Sequence, residues 1–353
     1  MEKINQTISK ITALDYRLMQ DAQERLNNLT KPLGSLGRLE ELARQIVGIT
    51  GKENPNIKNK VIFTLASDHG VTEEGVSAYP KEVTAQMVYN FLNGGAGINV
   101  LAKHIGARVI VVDIGVACEL KPALKLLIQK INYGTKNMAV GAAMTRQEAI
   151  KSIAVGIAIF EDEFQKGIDI VWTGEMGIGN TTPSSAIAAV FTDRAVEDVT
   201  GRGTGIDDKR LKNKISIIRK ALKVNKPDLN DPIDVLAKVG GFEIGGLIGV
   251  ILAAASKRTP VVIDGFISGA AALIAYHLQP KVKDYMIASH CSEEKGHRII
   301  LENIGLKAIL DLNLRLGEGT GAALGINIVE AAVKILTQMA TFRNAGVSEK
   351  IKQ

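Results

Sequence analysis

Glu318 is the residue whose surroundings most clearly suggest chemistry, because it lies between Gly317 and Gly319. Glycine has no Cβ atom, so backbone and ligand can approach such a carboxylate closely. An apolar run with helical spacing follows from 322 to 339, and Thr320 is the predicted N-cap of that helix. A carboxylate held in this way is a candidate general base. The alternative is a charged residue in a surface turn.

A glycine-rich turn from 174 to 183, with the sequence GEMGIGNTTP, joins a predicted strand to a predicted helix. Thr182 is predicted to cap that helix and Pro183 to lie in its first turn. The N-terminus of a helix offers free backbone N–H groups and a positive dipole end, so phosphate can bind there. Glu175 would repel a phosphate, and binding sugar hydroxyls suits it better. The alternative is a tight turn without a ligand.

A second glycine-rich loop, TGRGTG at 200–205, leads toward Lys214. A lysine on the following helix can add a positive point charge at the same phosphate. Asp207 and Asp208 form an acidic pair like that of enzymes that bind pyrophosphate-ribose. They do not follow an apolar strand, however, so we interpret them as a helix N-terminus.

Polar residues also end five short apolar runs that are separated by helix-length segments. Such runs predict parallel strands covered by helices on both faces. The predicted strands are 61–67, 108–112, 168–173, 260–263 and 285–288, and they end near Asp68, Asp113, Glu175, Asp264 and His290. Ligands of open parallel sheets bind outside the carboxyl ends of the strands, so these polar ends should converge on one crevice.

Helical periodicity covers most of the remaining chain. The predicted helices are two at 14–29 and 36–49, one at 83–104 interrupted at 94–97, and others at 146–165, 183–190, 209–222, 233–255, 270–277 and 293–302, whereas 116–145 is predicted to be mostly loop. The predicted fold class is α/β, with a Rossmann-like parallel sheet flanked by helices and a smaller helical domain formed from the N- and C-terminal segments. The predicted segments are 1–55, 56–310 and 311–353.

Composition excludes several classes of protein. The chain has 353 residues and is 46% hydrophobic, so it can bury a large core. Its net charge is +6, but the lysines are scattered and aromatic residues make up only 4%, which argues against a nucleic-acid partner. No apolar run of 18 residues predicts a membrane span, and no signal core follows the polar N-terminus. We therefore expect a cytoplasmic protein.

Cysteine and histidine give little support for a metal centre or disulfide framework. There are two cysteines and five histidines, without ligand spacing such as HExxH, so no metal site is expected. His69 and His290 follow predicted strands near the crevice, but a structural role is the favoured interpretation for both.

Several motifs, taken together and in order, resemble nicotinate-nucleotide–dimethylbenzimidazole phosphoribosyltransferases. The resemblance covers essentially the whole chain and includes motifs that are individually unusual. These motifs are TKPLGSLG at 30–37, ASDHGV at 66–71, GE at 174–175 with Gly177 and NTT at 180–182, KVGG at 238–241, DGF at 264–266, SEEKG at 292–296 and LGEG at 316–319.

The resemblance implies transfer of ribose 5-phosphate from nicotinate mononucleotide to 5,6-dimethylbenzimidazole. The products would be nicotinate and α-ribazole 5′-phosphate, and the latter is used to build the lower ligand of cobalamin. Because nicotinate leaves from a cationic pyridinium, neither a cofactor nor a metal is required to expel it. The resemblance also implies a homodimer to which the N-terminal helices contribute.

The family's functional residues map onto matching positions of this chain. Glu318 corresponds to the general base. Residues near the nucleotide are Glu175, Gly177, Asn180, Thr181, Gly203, Lys214 and Ser292, and the acceptor pocket comprises Tyr79, Gln86, Met87 and Leu316, with Gly317 beside the base. The segment 77–87 varies within the family, so Tyr79 and Met87 bear on the choice of acceptor.

Two other functions are compatible with this fold class. An NAD-dependent oxidoreductase would carry a GxGxxG turn after its first strand, where this chain has Asp68-His69-Gly70-Val71. A non-catalytic nucleotide sensor would keep the phosphate loops, but it would not need Glu318.

Overall fold

A computed structural model describes residues 1–348 and shows a six-stranded sheet in which every strand pair is parallel. The strand order is β3-β2-β1-β4-β5-β6. The strands are β1 (Lys60–Ser67), β2 (Arg108–Gly115), β3 (Leu126–Ile128), β4 (Ile170–Met176), β5 (Val261–Ile263) and β6 (Met286–Ala288). The predicted α/β class with a parallel sheet is confirmed. Residues 349–353 of the predicted C-terminal segment lie outside the described residues.

Helices connect the strands and cover the sheet. They are α1 (Glu2–Ile8), α2 (Tyr16–Asn27), α3 (Arg38–Thr50), α4 (Val83–Asn93), α5 (Gly97–His104), α6 (Arg146–Phe164), α7 (Thr181–Thr192), α8 (Val196–Val199), α9 (Asp208–Asn225), α10 (Pro232–Val239), α11 (Phe242–Ser256), α12 (Phe266–Leu278), α13 (Lys295–Ile304), α14 (Thr320–Gln338) and α15 (Phe342–Ala345). Two 3-10 helices span Gly70–Glu74 and Pro280–Tyr285.

Side chains of β1 alternate between two separate apolar clusters, one on each face of the sheet. Val61, Phe63 and Leu65 belong to one cluster, whereas Ile62 and Ala66 belong to the other. All eight positions of the strand are buried. A strand buried on both faces has a continuous apolar sequence, which is why this run predicted a covered parallel sheet.

Glycines let α6 and α11 pack closely on one face of the sheet. A Cβ atom at Gly156 would lie 2.8 Å from the carbonyl carbon of Gly246, and one at Gly249 would lie 2.7 Å from the Ile157 nitrogen. A Cβ at Gly246 would overlap Leu65 of β1. The backbones of these helices can therefore approach each other and the sheet only where a side chain is absent.

The other face is covered by helices from both ends of the chain. Residues of α2, α3 and α14 share a cluster with Ile62 and Trp172 of the sheet, and Leu29 forms an antiparallel bridge with Thr341. Among the described helices, α14 is long and apolar enough to span a membrane, but 56% of its apolar stretch of 18 residues is buried. A core helix also meets this criterion. The division into 1–55, 56–310 and 311–353 remains a prediction.

The region 116–145 is mostly loop, as predicted, but it also contains β3, which extends the sheet by one short edge strand. Two other local predictions were wrong. The predicted helix 233–255 is two helices, α10 and α11, because Gly240 and Gly241 adopt extended backbone between them. The N-cap of α14 is Gly319 rather than Thr320.

Candidate active site

The candidate site lies where the strand order reverses. β1 is central, and the chain continues outward on one side through β2 and β3 and on the other through β4, β5 and β6. In open α/β sheets, ligands bind beyond the carboxyl ends of the strands near this point. A cavity of about 700 Å³ lies among the loops there. The prediction that the polar strand ends converge on one crevice is confirmed for some of these ends and not for others. Glu175, Gly265 and His290 line it, whereas Asp113 forms an ion pair with Lys130 elsewhere.

Glu318 lies in the cavity wall on unusual backbone. Gly317, Glu318 and Gly319 have φ angles of 82°, 62° and 96°, which places all three in the left-handed region. For a glutamate this region is uncommon. The loop also packs tightly on β4, since a Cβ at Gly174 would lie 2.5 Å from the Glu318 carbonyl oxygen. Surrounding structure therefore holds Glu318 in a conformation that it would seldom adopt alone.

Asp264, which follows β5, anchors the Glu318 loop. Its carboxylate accepts hydrogen bonds from the backbone N–H groups of Gly319 (3.2 Å) and Ala322 (2.9 Å). These are free donors at the start of α14, so a negative charge is favourable there. Thr320 does not cap this helix, because its hydroxyl donates to the Gly317 carbonyl at 2.8 Å. Asp264 and Thr320 together fix the loop on both sides of Glu318.

The carboxylate of Glu318 faces the N-terminus of α5. Its Oε2 atom accepts a hydrogen bond from the Ile98 N–H at 3.0 Å. Burial raises the pKa of Glu318 above its ordinary value of 4.5, the Ile98 hydrogen bond opposes the shift, and the charge of Asp264 adds to it. A Cβ at Gly97 would lie 3.0 Å from Leu316 Cδ2 and 3.3 Å from Glu318 Oε2. An apolar side chain and a basic carboxylate thus lie side by side.

Glu175, at the end of β4, has a different electrostatic environment. Burial, with the charges of Asp264 and Glu243, raises its pKa to about 8. The Asn180 side-chain amide donates a hydrogen bond to Glu175 Oε2. At neutral pH Glu175 is therefore mainly protonated and can donate a hydrogen bond, whereas an ionised group could only accept. Gly317 is also required here, because a Cβ at that position would overlap Glu175 Oε1.

The glycine-rich turn at 174–183 places the N-terminus of α7 at the cavity. The cap residue is Asn180, and its side chain does not accept a hydrogen bond from the first turn. The prediction that Thr182 caps this helix was wrong, since Thr182 is inside it and buried. Pro183 lies in the first turn as predicted. Gly177, Asn180 and Thr181 line the cavity. The geometry is one that can bind an anion.

Lys214 lies behind the N-terminus of α7 and does not line the cavity. Its ammonium group donates to Thr181 Oγ1 at 2.8 Å and to the Gly201 carbonyl at 3.2 Å, and the residue is 1% exposed. Burial lowers its pKa to about 8, although the charge of Glu294 opposes the shift. Lys214 thus supplies positive charge from beneath Thr181 and Gly203, and it does so without direct exposure to the cavity.

Several predicted residues meet at this cavity, and Gln86 does not. The predicted residues that line it are Tyr79, Met87, Glu175, Gly177, Asn180, Thr181, Gly203, Ser292, Leu316, Gly317 and Glu318. Gln86 is exposed and does not line it, although its neighbours Val83 and Met87 on α4 do. Tyr79 and Leu316 are 56% and 61% exposed, so they form an open apolar wall.

Our sequence interpretation did not assign site roles to Thr204, His290 or Glu294, which also line the cavity. Glu294 Oε1 accepts a hydrogen bond from the Gly203 N–H at 2.7 Å. Ser292, a predicted site residue, donates its backbone N–H to His297 Nδ1 at 2.9 Å. Glu294 contacts Gly203, which is 91 positions away, so no local sequence pattern predicts this contact. The SEEKG motif was the one feature of the sequence that could have drawn attention to Glu294.

The two histidines singled out from the sequence have different environments. His69 is buried and its Nε2 lies 2.8 Å from Glu243 Oε1, which fits the structural role favoured for it. His290 lines the cavity, with Nδ1 3.1 Å from Ser289 Oγ. Among the described residues, no group of three or more His, Cys, Asp or Glu is arranged to hold a metal ion.

Comparison with known proteins identifies the family. A phosphoribosyltransferase family model matches residues 11–347. The chain belongs to this phosphoribosyltransferase family. A Geobacter sulfurreducens protein named nicotinate-nucleotide–dimethylbenzimidazole phosphoribosyltransferase is 58% identical over 349 residues, which are 99% of each chain. A protein of the same name from Desulforudis audaxviator is 57% identical, again over 99% of each chain.

A solved structure supports the same family assignment. The crystal structure of the nicotinate-nucleotide–dimethylbenzimidazole phosphoribosyltransferase from Thermus thermophilus is 41% identical, with a TM-score of 0.91. The match covers 96% of this chain and 100% of that chain. The resemblance stated from the sequence motifs is thereby confirmed. Membership in this phosphoribosyltransferase family excludes the NAD-dependent oxidoreductase considered above.

Proposed function

We propose that this enzyme transfers ribose 5-phosphate from nicotinate mononucleotide to 5,6-dimethylbenzimidazole or a related base. The observation that carries the proposal is the position of Glu318, a carboxylate in the cavity wall beside apolar Leu316 and on the same cavity as the N-terminus of α7. A phosphate-binding corner and a base beside an apolar wall are what such a transfer requires. The names of the relatives point to the same substrates.

The nucleotide phosphate would bind at the N-terminus of α7. Backbone N–H groups there oppose the phosphate charge, and Lys214 adds positive charge through Thr181 and Gly203. Protonated Glu175 and Asn180 would hydrogen-bond the ribose hydroxyls. This use of Glu175 avoids the repulsion that an ionised carboxylate would exert on the phosphate.

The acceptor would bind against Tyr79, Met87 and Leu316, with one ring nitrogen facing C1′ of the ribose. A bond forms between that nitrogen and C1′ as the bond from C1′ to the pyridinium nitrogen breaks. The bonding electrons enter the pyridinium ring, which leaves as nicotinate. The proton on the other nitrogen of the acceptor passes to Glu318. Direct attack from the face opposite the leaving group inverts the anomeric configuration.

The most direct test measures nicotinate release from nicotinate mononucleotide with and without dimethylbenzimidazole. We expect release that depends on the acceptor and matches the ribosylated product in amount. Release at the same rate without acceptor would indicate a hydrolase, and binding without release would indicate a nucleotide sensor.

Turnover should persist in EDTA, because the leaving group is already cationic. Loss of turnover in EDTA that magnesium restores would contradict this mechanism.

We also propose that the enzyme is a cytoplasmic homodimer and that the N-terminal helices contribute to the partner's side of the dimer, as the family resemblance implies. Size-exclusion chromatography with light scattering tests the oligomeric state, and a monomer at micromolar concentration would contradict it.

A further inference from the structure

Two cavity-lining segments that come from distant parts of the chain contact each other directly. We call residues 77–79 the acceptor segment, because it carries Tyr79, and residues 200–205 the phosphate loop. Thr204 Oγ1 accepts a hydrogen bond from the Ala78 N–H at 2.9 Å and lies 3.3 Å from Ser77 Oγ. Ser77 Oγ in turn accepts from the Tyr79 N–H at 3.2 Å. One hydroxyl therefore joins the two segments.

The phosphate loop depends on such contacts for its conformation. Gly203 and Gly205, on either side of Thr204, have φ angles of 53° and 92°. The backbone of Gly203 is held from both sides, since Glu294 accepts from its N–H and Arg315 Nη1 donates to its carbonyl at 3.2 Å. Glycine restricts backbone conformation weakly, so these side chains determine where Thr204 lies.

We propose that Thr204 is a positioning residue that couples phosphate binding to the acceptor segment, an inference that rests on the proposed function. A phosphate bound beside Gly203 and Thr181 restricts the phosphate loop and so holds Thr204 in place. Thr204 then holds the Ala78 backbone and Ser77, which orders Tyr79 at the mouth of the cavity. The nucleotide would thereby prepare the wall against which the acceptor binds.

The kinetic test compares Thr204→Val, which removes the hydroxyl at nearly constant volume, with Thr204→Ser, which keeps it. Losing one net hydrogen bond corresponds to a KM for dimethylbenzimidazole about three- to ten-fold higher in Thr204→Val. The Kd of nicotinate mononucleotide without acceptor should stay within about two-fold, because the coupling acts only when both ligands are bound, and Thr204→Ser should keep the acceptor KM near its native value. An unchanged acceptor KM in Thr204→Val would overturn the proposal, as would an equal loss of affinity for nicotinate mononucleotide measured without acceptor.

A double-mutant cycle with Ser77→Ala separates positioning from direct contact with the acceptor. If Thr204 acts through the acceptor segment, the double variant should raise the acceptor KM less than the product of the two single effects. Independent, multiplicative effects would overturn the proposal, since they would mean that each hydroxyl acts on the acceptor alone.

Calorimetry tests the coupling without turnover, so a failure of the proposed reaction would be distinguished from a failure of this inference. Inorganic phosphate should tighten dimethylbenzimidazole binding to the native enzyme and to Thr204→Ser, but not to Thr204→Val. A native enzyme whose affinity for dimethylbenzimidazole is the same with and without phosphate would refute the coupling. Absence of ribosyl transfer in the native enzyme would instead refute the proposed function.

Discussion

Glu318 combines a strained backbone conformation with a carboxylate that is held in a fixed position. A non-glycine residue held at a φ of 62° costs roughly 1–3 kcal/mol and persists only where the surroundings enforce it. Here the surroundings are Asp264, which binds the backbone after Glu318, and Gly174, against which the loop packs. The side chain is thereby directed toward Ile98 and the cavity. This arrangement supports a base whose position is fixed before the substrates bind.

Glu318→Gln should keep the shape of the site and remove the base. We expect turnover to fall by about two to four powers of ten while both KM values change little, which is the usual contribution of general-base catalysis. Steady-state kinetics with Glu53→Gln, an exposed glutamate that does not line the cavity, provides the matched control. Turnover within a few-fold of the native enzyme would mean that water or Glu175 accepts the proton instead. A large loss of affinity for either substrate would indicate that Glu318 has a binding role.

The raised pKa of Glu175 also predicts how stability depends on pH. The unfolded carboxyl has a pKa near 4.5 and the folded one about 8, so between these values the folded state binds more protons. Stability therefore falls as pH rises through this range. His297, whose pKa burial lowers to about 3, has the opposite effect, but only below its ordinary value of 6.5.

In the interval from pH 6.5 to 8, Glu175→Gln should reduce the loss of stability seen in the native enzyme without substrates. The measurement is the midpoint of thermal or urea unfolding at several pH values, because the difference between the two proteins isolates Glu175. A pH dependence identical in both proteins would show that Glu175 ionises normally in the folded state.

At the scale of elements, the N-terminus of α7 and the buried ammonium of Lys214 act on the same corner of the cavity. The helix contributes backbone donors, and Lys214 binds Thr181 and Gly201 from the protein side. Because Lys214 is desolvated and its pKa is about 8, it is mainly charged at neutral pH but loses its charge in mildly alkaline solution. A bound phosphate would favour the charged form.

Lys214→Met removes this charge at similar volume. The KM for nicotinate mononucleotide should rise by about ten-fold or more, since hydrogen bonds that involve a charged group contribute about 1.5–3 kcal/mol. Turnover should fall less than the KM rises. Lys212→Met, an exposed lysine on the same helix, is the control. An unchanged KM would exclude Lys214 from phosphate binding.

At the scale of the whole molecule, the cavity lies between elements from both faces of the sheet. α4 and α5 belong to the cluster that contains α2, α3 and α14, whereas α7 and α12 belong to the opposite cluster. The proposed acceptor wall, which comprises Tyr79, Met87 and Leu316, comes from loops and helix surfaces and offers apolar contact with few directional groups. Such a wall discriminates weakly among flat aromatic rings.

Benzimidazole and its methylated forms should therefore all accept ribose 5-phosphate. Each methyl group that contacts an apolar wall changes specificity by about 1–3 kcal/mol, so kcat/KM should fall from dimethylbenzimidazole to benzimidazole without reaching zero. Product formation can be followed by chromatography for each base. No product from benzimidazole would show that the pocket requires both methyl groups.

The sequence by itself determined the class of the fold and the chemistry of the individual stretches. Short, continuous apolar runs separated by helix-length segments indicate strands buried on both faces, and a carboxylate between glycines stands out without knowledge of its neighbours. Family motifs then supplied residues for the site, most of which line one cavity. Capping was harder to predict, because Thr320 and Thr182 were assigned from local preference, and tertiary contacts placed Asp264 and the Glu318 loop at the start of α14 instead.

Only the tertiary structure decided which distant residues meet. Nothing local indicates that Asp264 binds the backbone of Gly319, that Glu294 binds Gly203, or that Thr204 binds Ala78, since these contacts span 55, 91 and 126 positions. The burial of Lys214 and the raised pKa of Glu175 likewise depend on desolvation by the assembled layers. Residue type and spacing are local properties, whereas burial and charge proximity exist only after the chain has folded.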